Sequence, residues 1–248
     1  LSLVGSEMCI RDRTSELPGR TTAYRIAEVR PQVNGIILKR LFKEGGDVKE
    51  GQQLYQIDPS VYDATLKSAQ AKLTQTKSIT DRYKQLVDEQ AVSRQEYDTA
   101  VANRMTAEAD VQTAQINVRY TKVFAPISGR IGRSSVTEGA LVSNGQADAM
   151  AVIQQLDPIY VDVTQSSAEM LKLRRDLESG QLEKAGDNAA KVKLTLEDGT
   201  AYAQDGKLEF SEVSVDQTTG SVTLRAVFPN PEHTLLPVSY THLRAHET

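Results

Sequence analysis

Histidine, cysteine and paired carboxylates build most catalytic and metal sites, and this chain is short of them. It carries three histidines, His233, His242 and His246, and one cysteine, Cys9. A nucleophile–histidine triad needs a base held by a third group. A zinc site needs His and Cys clustered at ligand spacing. Only His233 lies outside the terminal runs 1–13 and 238–248, so neither constellation has its parts. No Walker loop and no G-x-G-x-x-G turn is present to cradle a phosphate. Carboxylates abound, but Asp187, Glu197 and Asp198 stand in turn-like stretches and are expected to be solvated loop charges. No catalytic, cofactor-binding or metal site is predicted, and the chain reads as a non-enzyme.

Composition narrows the partners. The chain has 248 residues, 39% hydrophobic and 25% charged, with a net charge of −4 and no Trp. An acidic balance gives no electrostatic footprint for nucleic acid or an anionic membrane. No run approaches the roughly 18 apolar residues of a membrane span. Leu1–Val4 is too short for the ~7–15 residues of a signal-peptide core, and the residues before Cys9 do not form a lipoprotein cleavage box. One Cys excludes an internal disulfide framework.

The chain contains two copies of one small unit. Shifted by 94 residues, GIILKRLFKEGGDVKEGQ (35–52) lies on GRIGRSSVTEGALVSNGQ (129–146) without a gap. Seven of the 18 positions are identical, Glu44/Glu138, Gly45/Gly139 and Gly51/Gly145 among them; chance would give about one. Each copy reads as short strands separated by glycine turns. The two copies are expected to pair as a split β-sandwich.

The insertion between them is helical. No Gly or Pro occurs from Ser60 to Ala125. Asp58-Pro59 is a start signal, with Asp as cap and Pro at the first helical position. Tyr62, Leu66, Ala69, Leu73, Thr76, Thr80, Tyr83 and Val87 form a heptad seam that is polar in its middle. Tyr97, Ala100, Arg104, Ala107, Val111, Ala114 and Val118 form the second. Ser93-Arg-Gln-Glu96 is a capping box, so the first helix ends near Glu89–Ala91 and a turn of about three residues makes the arms antiparallel.

After Asp157-Pro158 the pattern becomes that of an antiparallel barrel. Strands are expected at 159–163, 191–196, 206–210 and 221–228, with a helix capped by Ser166 and Glu169 and stopped by Gly180. The stretch 14–22 is expected to add a strand. The chain begins with Leu and is read as a fragment. Runs 1–13 and 238–248 resemble translated sequencing-adapter read-through and are set outside the fold.

The fold class is therefore α+β, elongated and multidomain. A long α-helical hairpin (59–121) is inserted in a split lipoyl-like β-sandwich (25–58 and 122–156). A small antiparallel β-barrel with one helix follows (14–24 and 157–237). Lipoyl and biotinyl carriers hold their cofactor on a Lys at a tight turn between the halves. Here about 64 residues of helix occupy that place, and Lys39, Lys43 and Lys49 lack a matching turn, so no cofactor is expected.

Several stretches resemble one family: AEVRPQVNGII (27–37), EGQQLYQIDP (50–59), RYTKVFAPISGRIGRS (119–134), TEGALV (137–142), QLDPIYVDV (155–163) and GSVTLRAVFPNP (220–231). They are similar to the periplasmic adaptors, or membrane fusion proteins, of resistance-nodulation-division (RND) drug-efflux pumps, over about residues 14–237. The resemblance implies a non-enzymatic periplasmic linker anchored at the inner membrane. Its partners would be an RND inner-membrane transporter, a TolC-type outer-membrane channel and further copies of itself in a ring. It also implies a membrane-proximal domain and a lipidated Cys outside this chain. Adaptors of type I secretion or ABC exporters share the split sandwich and hairpin and stand as the alternative. The family's hairpin tip places an Arg, a Leu four residues on and a Ser seven further, which dock the channel. Arg82, Leu86 and Ser93 stand at that spacing. On residue type alone Ser93 is an N-cap, Leu86 seam packing and Arg82 a solvated helix charge.

Overall fold

The computed structural model describes residues 16–179, 184–186, 189–196, 199–215, 221–237 and 240–245. Run 1–13, Asp187, Glu197, Asp198, the Gly180 stop and the turn before Ser221 lie outside these. Element order is β1 (Glu16–Val29), β2 (Gly35–Arg40), β3 (Asp47–Val48), β4 (Gln53–Ile57), α1 (Ser60–Asp88) and α2 (Arg94–Tyr120). Then come β5 (Lys122–Phe124), β6 (Gly129–Ile131), β7 (Leu141–Val142), β8 (Ala151–Ser166) and α3 (Ser167–Glu178). β9 (Lys184–Gly186), β10 (Ala189–Thr195), β11 (Gly206–Val215), β12 (Ser221–Phe228) and β13 (Tyr240–Ala245) complete the chain. Ala27–Ile153 is one compact unit, and the residues before and after it form a second. These divisions fall inside β1 and β8, a few residues from the expected 24/25 and 156/157. Both strands run on across the division without a loop.

In the first unit the 94-residue repeat becomes a reciprocal clasp. Gly35 pairs with Val142 and Ile36 with Leu141; adding or subtracting 94 turns these into the observed pairs of Gly129 with Val48 and Arg130 with Asp47. The amide of Gly45 donates to Ile131 O at 2.9 Å, and that of Gly139 donates to Ile37 O at 2.8 Å. Glu44 Oε1 accepts from the Ser134 amide at 2.9 Å, and Glu138 Oε1 accepts from the Arg40 amide at 3.0 Å. Glu44 and Glu138, and Gly45 and Gly139, thus each reach across to the other copy, whereas Gln52 and Gln146 close their own turns by accepting from the Lys49 and Ser143 amides. Gly45 and Gly139 take φ of 72° and 84°, where a Cβ is strained. β5-β4-β2-β7 form a sheet over a core in which Ile37, Leu54, Tyr55, Ile57, Ile131 and Ile153 are buried. Burial pushes the Tyr55 hydroxyl pKa up; that hydroxyl donates to Met150 O at 3.1 Å and bonds Ser134 Oγ at 2.6 Å.

In the second unit β1-β13-β10-β11-β12-β8 follow one another, and β8 also pairs with β1, closing a barrel. β12 alternates between half-buried and buried residues, the period-two signature of a strand with one face inside. Ile159, Val161, Val163, Val192, Leu194, Leu224 and Phe228 fill the interior. The capping box of α3 is formed: Ser166 Oγ accepts from the Glu169 amide at 3.3 Å. One expectation differs. Run 238–248 was set outside the fold, yet the backbone of 240–245 pairs with β1 on one side and β10 on the other. Ladder bonds use backbone groups that every non-proline residue supplies, so an unfamiliar sequence can complete a sheet. β1 likewise runs past the expected 14–22, to Val29.

Candidate docking tip of the helical hairpin

Helices α1 and α2 have 29 and 27 residues, so each arm is roughly 40 Å long at 1.5 Å per residue. α1 begins at Ser60, one residue later than the predicted Pro59. The carboxylate of Asp58 still receives the first free amide, that of Ser60, at 3.0 Å. Helix–helix packing follows the predicted seams. Thr76 and Thr80 are buried on α1, and Ala100, Ala107, Val111 and Ala114 on α2. Small residues on α2 let the backbones approach. Thr80 Oγ1 therefore reaches across to Ala100 O at 3.0 Å as well as back to Thr76 O at 2.9 Å, and the polar middle of the seam is satisfied internally.

The turn spans Glu89–Ser93, two residues longer than predicted. Gln90 takes a left-handed φ of 57°, and the Ala91 amide donates to Leu86 O at 2.8 Å, tying off the carbonyl end of α1. Ser93 is extended and caps α2. Its Oγ accepts from the Glu96 amide at 3.2 Å, and its own amide donates to Glu96 Oε2 at 2.9 Å. Those bonds, the backbone one foremost, hold the Glu96 pKa below the ordinary value, so the capping carboxylate is ionised at neutral pH.

The three predicted site residues all lie at this end. Arg82 is exposed and free of ion pairs among the described residues. Leu86 is half-buried one turn further along the same side of α1, and Ser93 is exposed beyond the turn. Leu86 lies on the last turn of α1, its carbonyl bonded by the Ala91 amide of the turn; Ser93 closes that turn as the cap of α2, and Arg82 stands one turn back on α1. A groove of about 810 Å³ runs along one flank between the arms, lined by Lys72, Ile79, Tyr83, Ser93, Asn103 and Asp110 among others. Ser93 belongs to it; Arg82 and Leu86 do not line it. Sequence reading missed this groove. Its only trace is that Ile79 lies outside the seam while its neighbours on α2, such as Asn103, are short and polar.

Comparison with known proteins agrees with this architecture. The RND membrane fusion protein barrel-sandwich hybrid domain matches residues 25–154, and the β-barrel domain of the same proteins matches residues 158–248. The chain is 77% identical over 231 residues to the multidrug/solvent efflux pump periplasmic linker protein MepA of Pseudomonas putida, covering 93% of this chain and 60% of that protein. It is 68% identical over 233 residues to the multidrug resistance protein MexA of Pseudomonas aeruginosa, covering 94% and 61%. It thus spans about 60% of the length of the curated relatives it matches. Among solved structures, a MacA–MexA chimera containing the P. aeruginosa MexA α-hairpin domain superposes with a TM-score of 0.76 at 30% identity, over 96% of this chain and 83% of that one. The membrane fusion protein Spr0693 of Streptococcus pneumoniae shares the fold, with a TM-score of 0.68 at 17% identity over 94% and 98%. With a split sandwich, an inserted hairpin and a barrel all matched, this chain belongs to the membrane fusion protein family of RND efflux systems.

Proposed function

We propose that the chain is the adaptor segment of a tripartite RND-type drug-efflux pump. It links an inner-membrane transporter to a TolC-type outer-membrane channel across the periplasm. The observation that carries the reading is the hairpin itself. Two arms of about 40 Å leave a rigid clasp of paired repeats and end in a turn closed by a complete capping box. The name of MepA as a periplasmic linker supports the same role and the periplasmic location. The work is mechanical and needs no catalytic residue. Arg82, Leu86 and Ser93 form the docking surface: a free cation, a half-buried apolar side chain and a hydroxyl at the end of a stiff rod. Several copies surround the pump axis, and anchoring at the inner membrane belongs to the full-length protein.

The test uses full-length protein in cells. Ser93→Asp keeps a good N-cap but places a charge at the tip, and Arg82→Asp reverses the free cation. Both are expected to abolish efflux and cross-linking to the channel while protein level and melting temperature hold. Retention of both activities in both variants overturns the docking role.

A further inference from the structure

Of the six asparagines, Asn34 and Asn144 are followed by glycine. A following glycine has no Cβ to shield its nitrogen, so that nitrogen can attack the asparagine side-chain carbonyl. The 94-residue repeat sets Asn144 at the place of Glu50, and Asn34 at the place of Ser128. The two turns concerned are built alike. The Gln146 amide donates to Ser143 O at 3.2 Å, as the Gln52 amide does to Lys49 O at 3.0 Å. Gly145 and Gly51 both take left-handed φ, 77° and 79°. The Asn144 amide donates to Asn34 Oδ1 at 2.7 Å, and the Glu50 amide to Ser128 Oγ at 2.8 Å. Each turn is thus held by a side chain of the other copy. Arg30 adds a bond from Nη1 to Gln146 O at 2.7 Å. The turns differ chemically in that Asn144 carries a side-chain amide and Glu50 a carboxylate.

The two Asn–Gly pairs stand in opposite surroundings. Asn144 and Gly145 are exposed. Neither the Asn144 side chain nor the Gly145 amide makes a hydrogen bond among the described residues, and a Cβ added at Gly145 would meet open space. The 144–145 peptide is the central one of its turn. It can rotate under the Gln146–Ser143 bond that spans it, and so bring the Gly145 nitrogen to Asn144 Cγ. Asn34 has no such freedom. Its Oδ1 is engaged by the Asn144 amide, and its main-chain O accepts from the Tyr62 hydroxyl at 2.7 Å. Gly35 is laddered to Val142, and Ile57 Cγ2 lies 2.6 Å from where its Cβ would stand.

We propose that Asn144–Gly145 is a self-modifying site, whose reactants are its own backbone and water. The Gly145 nitrogen attacks Asn144 Cγ. A bond forms between them, the bond from Cγ to Nδ2 breaks, and Nδ2 leaves as ammonia with the Gly145 amide proton. Water then opens the cyclic imide. Attack at Cγ restores the ordinary backbone with Asp at 144. Attack at the main-chain carbonyl leaves isoaspartate, its chain running through Cβ and Cγ. The first product puts a carboxylate where the equivalent turn carries Glu50, so the turn survives. The second adds a methylene to the main chain inside a tight turn, whose closing bond depends on a fixed span. Gln146 then loses Ser143 O, and the bonds from Asn34 and Arg30 lose their register. Ageing at this site unlatches the end of β7 from the start of β2. This chemistry goes beyond the adaptor reading and needs nothing from it.

The test ages the full-length protein in warm, mildly alkaline buffer and maps its peptides by mass spectrometry. An isoaspartate-specific carboxyl methyltransferase labels the second product. Asn144 should convert, faster as pH rises because the attacking nitrogen must shed its proton, while Asn34 stays intact. In denaturant both should convert. Asn144→Gln, whose longer side chain cannot close the same ring, should abolish the label. Amide exchange at 141–147 should quicken in the isoaspartyl fraction and stay at the parent rate in Asn144→Asp. A native protein unconverted at 144 over the time in which the denatured chain converts overturns the proposal. So does Asn34 converting as fast as Asn144, or a label that survives in Asn144→Gln. Parent-like exchange in the isoaspartyl fraction overturns the unlatching.

Discussion

Asn230 makes the sharpest energetic prediction. It is fully buried in the barrel unit just past β12. Its Nδ2 donates to Leu156 O at 3.0 Å and to Leu235 O at 2.9 Å, and its Oδ1 accepts from the Leu235 amide at 3.1 Å. One side chain thus ties β8 to the segment that leads toward β13. Asn230→Leu keeps the volume and deletes these three bonds to the backbone, together with the longer one that the Tyr202 hydroxyl donates to Oδ1 at 3.4 Å. Each backbone group left buried without a partner costs about 1–3 kcal/mol, and burying the leucine methyls returns roughly 1–2 kcal/mol. The net loss should be about 4 kcal/mol. For a unit of this size that is a fall of on the order of 10–20 °C in melting temperature, read by calorimetry on the whole chain. Asn230→Asp adds a sign. Burial against two carbonyls raises the folded carboxyl pKa above its unfolded value. The variant should therefore come closest to the parent below the ordinary carboxylate range and lose stability as pH rises through it. A fall of only a few degrees for Asn230→Leu, or the opposite pH trend for Asn230→Asp, would refute the assignment of Asn230 as the tie.

Other consequences follow from the hairpin and the clasp. Thr80→Val should shift hairpin stability by under about 1 kcal/mol, because the Ala100 and Thr76 carbonyls keep their helical bonds and the added methyl is buried. Ala107→Leu at the most buried position of α2 should cost about 1–3 kcal/mol by overpacking; equal melting temperatures for the two would contradict the small-residue seam. Ser93→Ala should cost about 1 kcal/mol and speed amide exchange in the first turn of α2. Since the Glu96 pKa is lowered in the folded tip, its share of the cap is present at neutral pH and lost as acidification carries pH down through the folded value. Exchange at 94–96 that is flat across that range would deny the box. Tyr55→Phe should cost about 1–3 kcal/mol, because Met150 O and Ser134 Oγ lose a part-buried partner; an unchanged denaturant midpoint would rule that bond out as a support.

Local rules settled much of this protein before any coordinates. The 94-residue spacing identified the two halves, because a duplicated turn needs the same left-handed glycines at Gly45 and Gly139. Heptad spacing identified the seams, because side chains three and four apart share a helix face. The S-x-x-E boxes at Ser93 and Ser166 marked both helix starts, because the cap uses only residues within one turn. What depends on long-range pairing was not legible. The reciprocal bonds of Glu44 and Glu138 explain why those residues recur, yet the repeat alone cannot say which amides they reach. The groove beside Ser93 exists only once two helices pack. Which face of β2 is exposed was not legible either, because Ile36, Ile37 and Leu38 are equally apolar and only the sheet's burial separates them. Closure of the barrel by 240–245 was missed for the same reason: backbone pairing is chosen by neighbours in space, whatever side chains the strand carries.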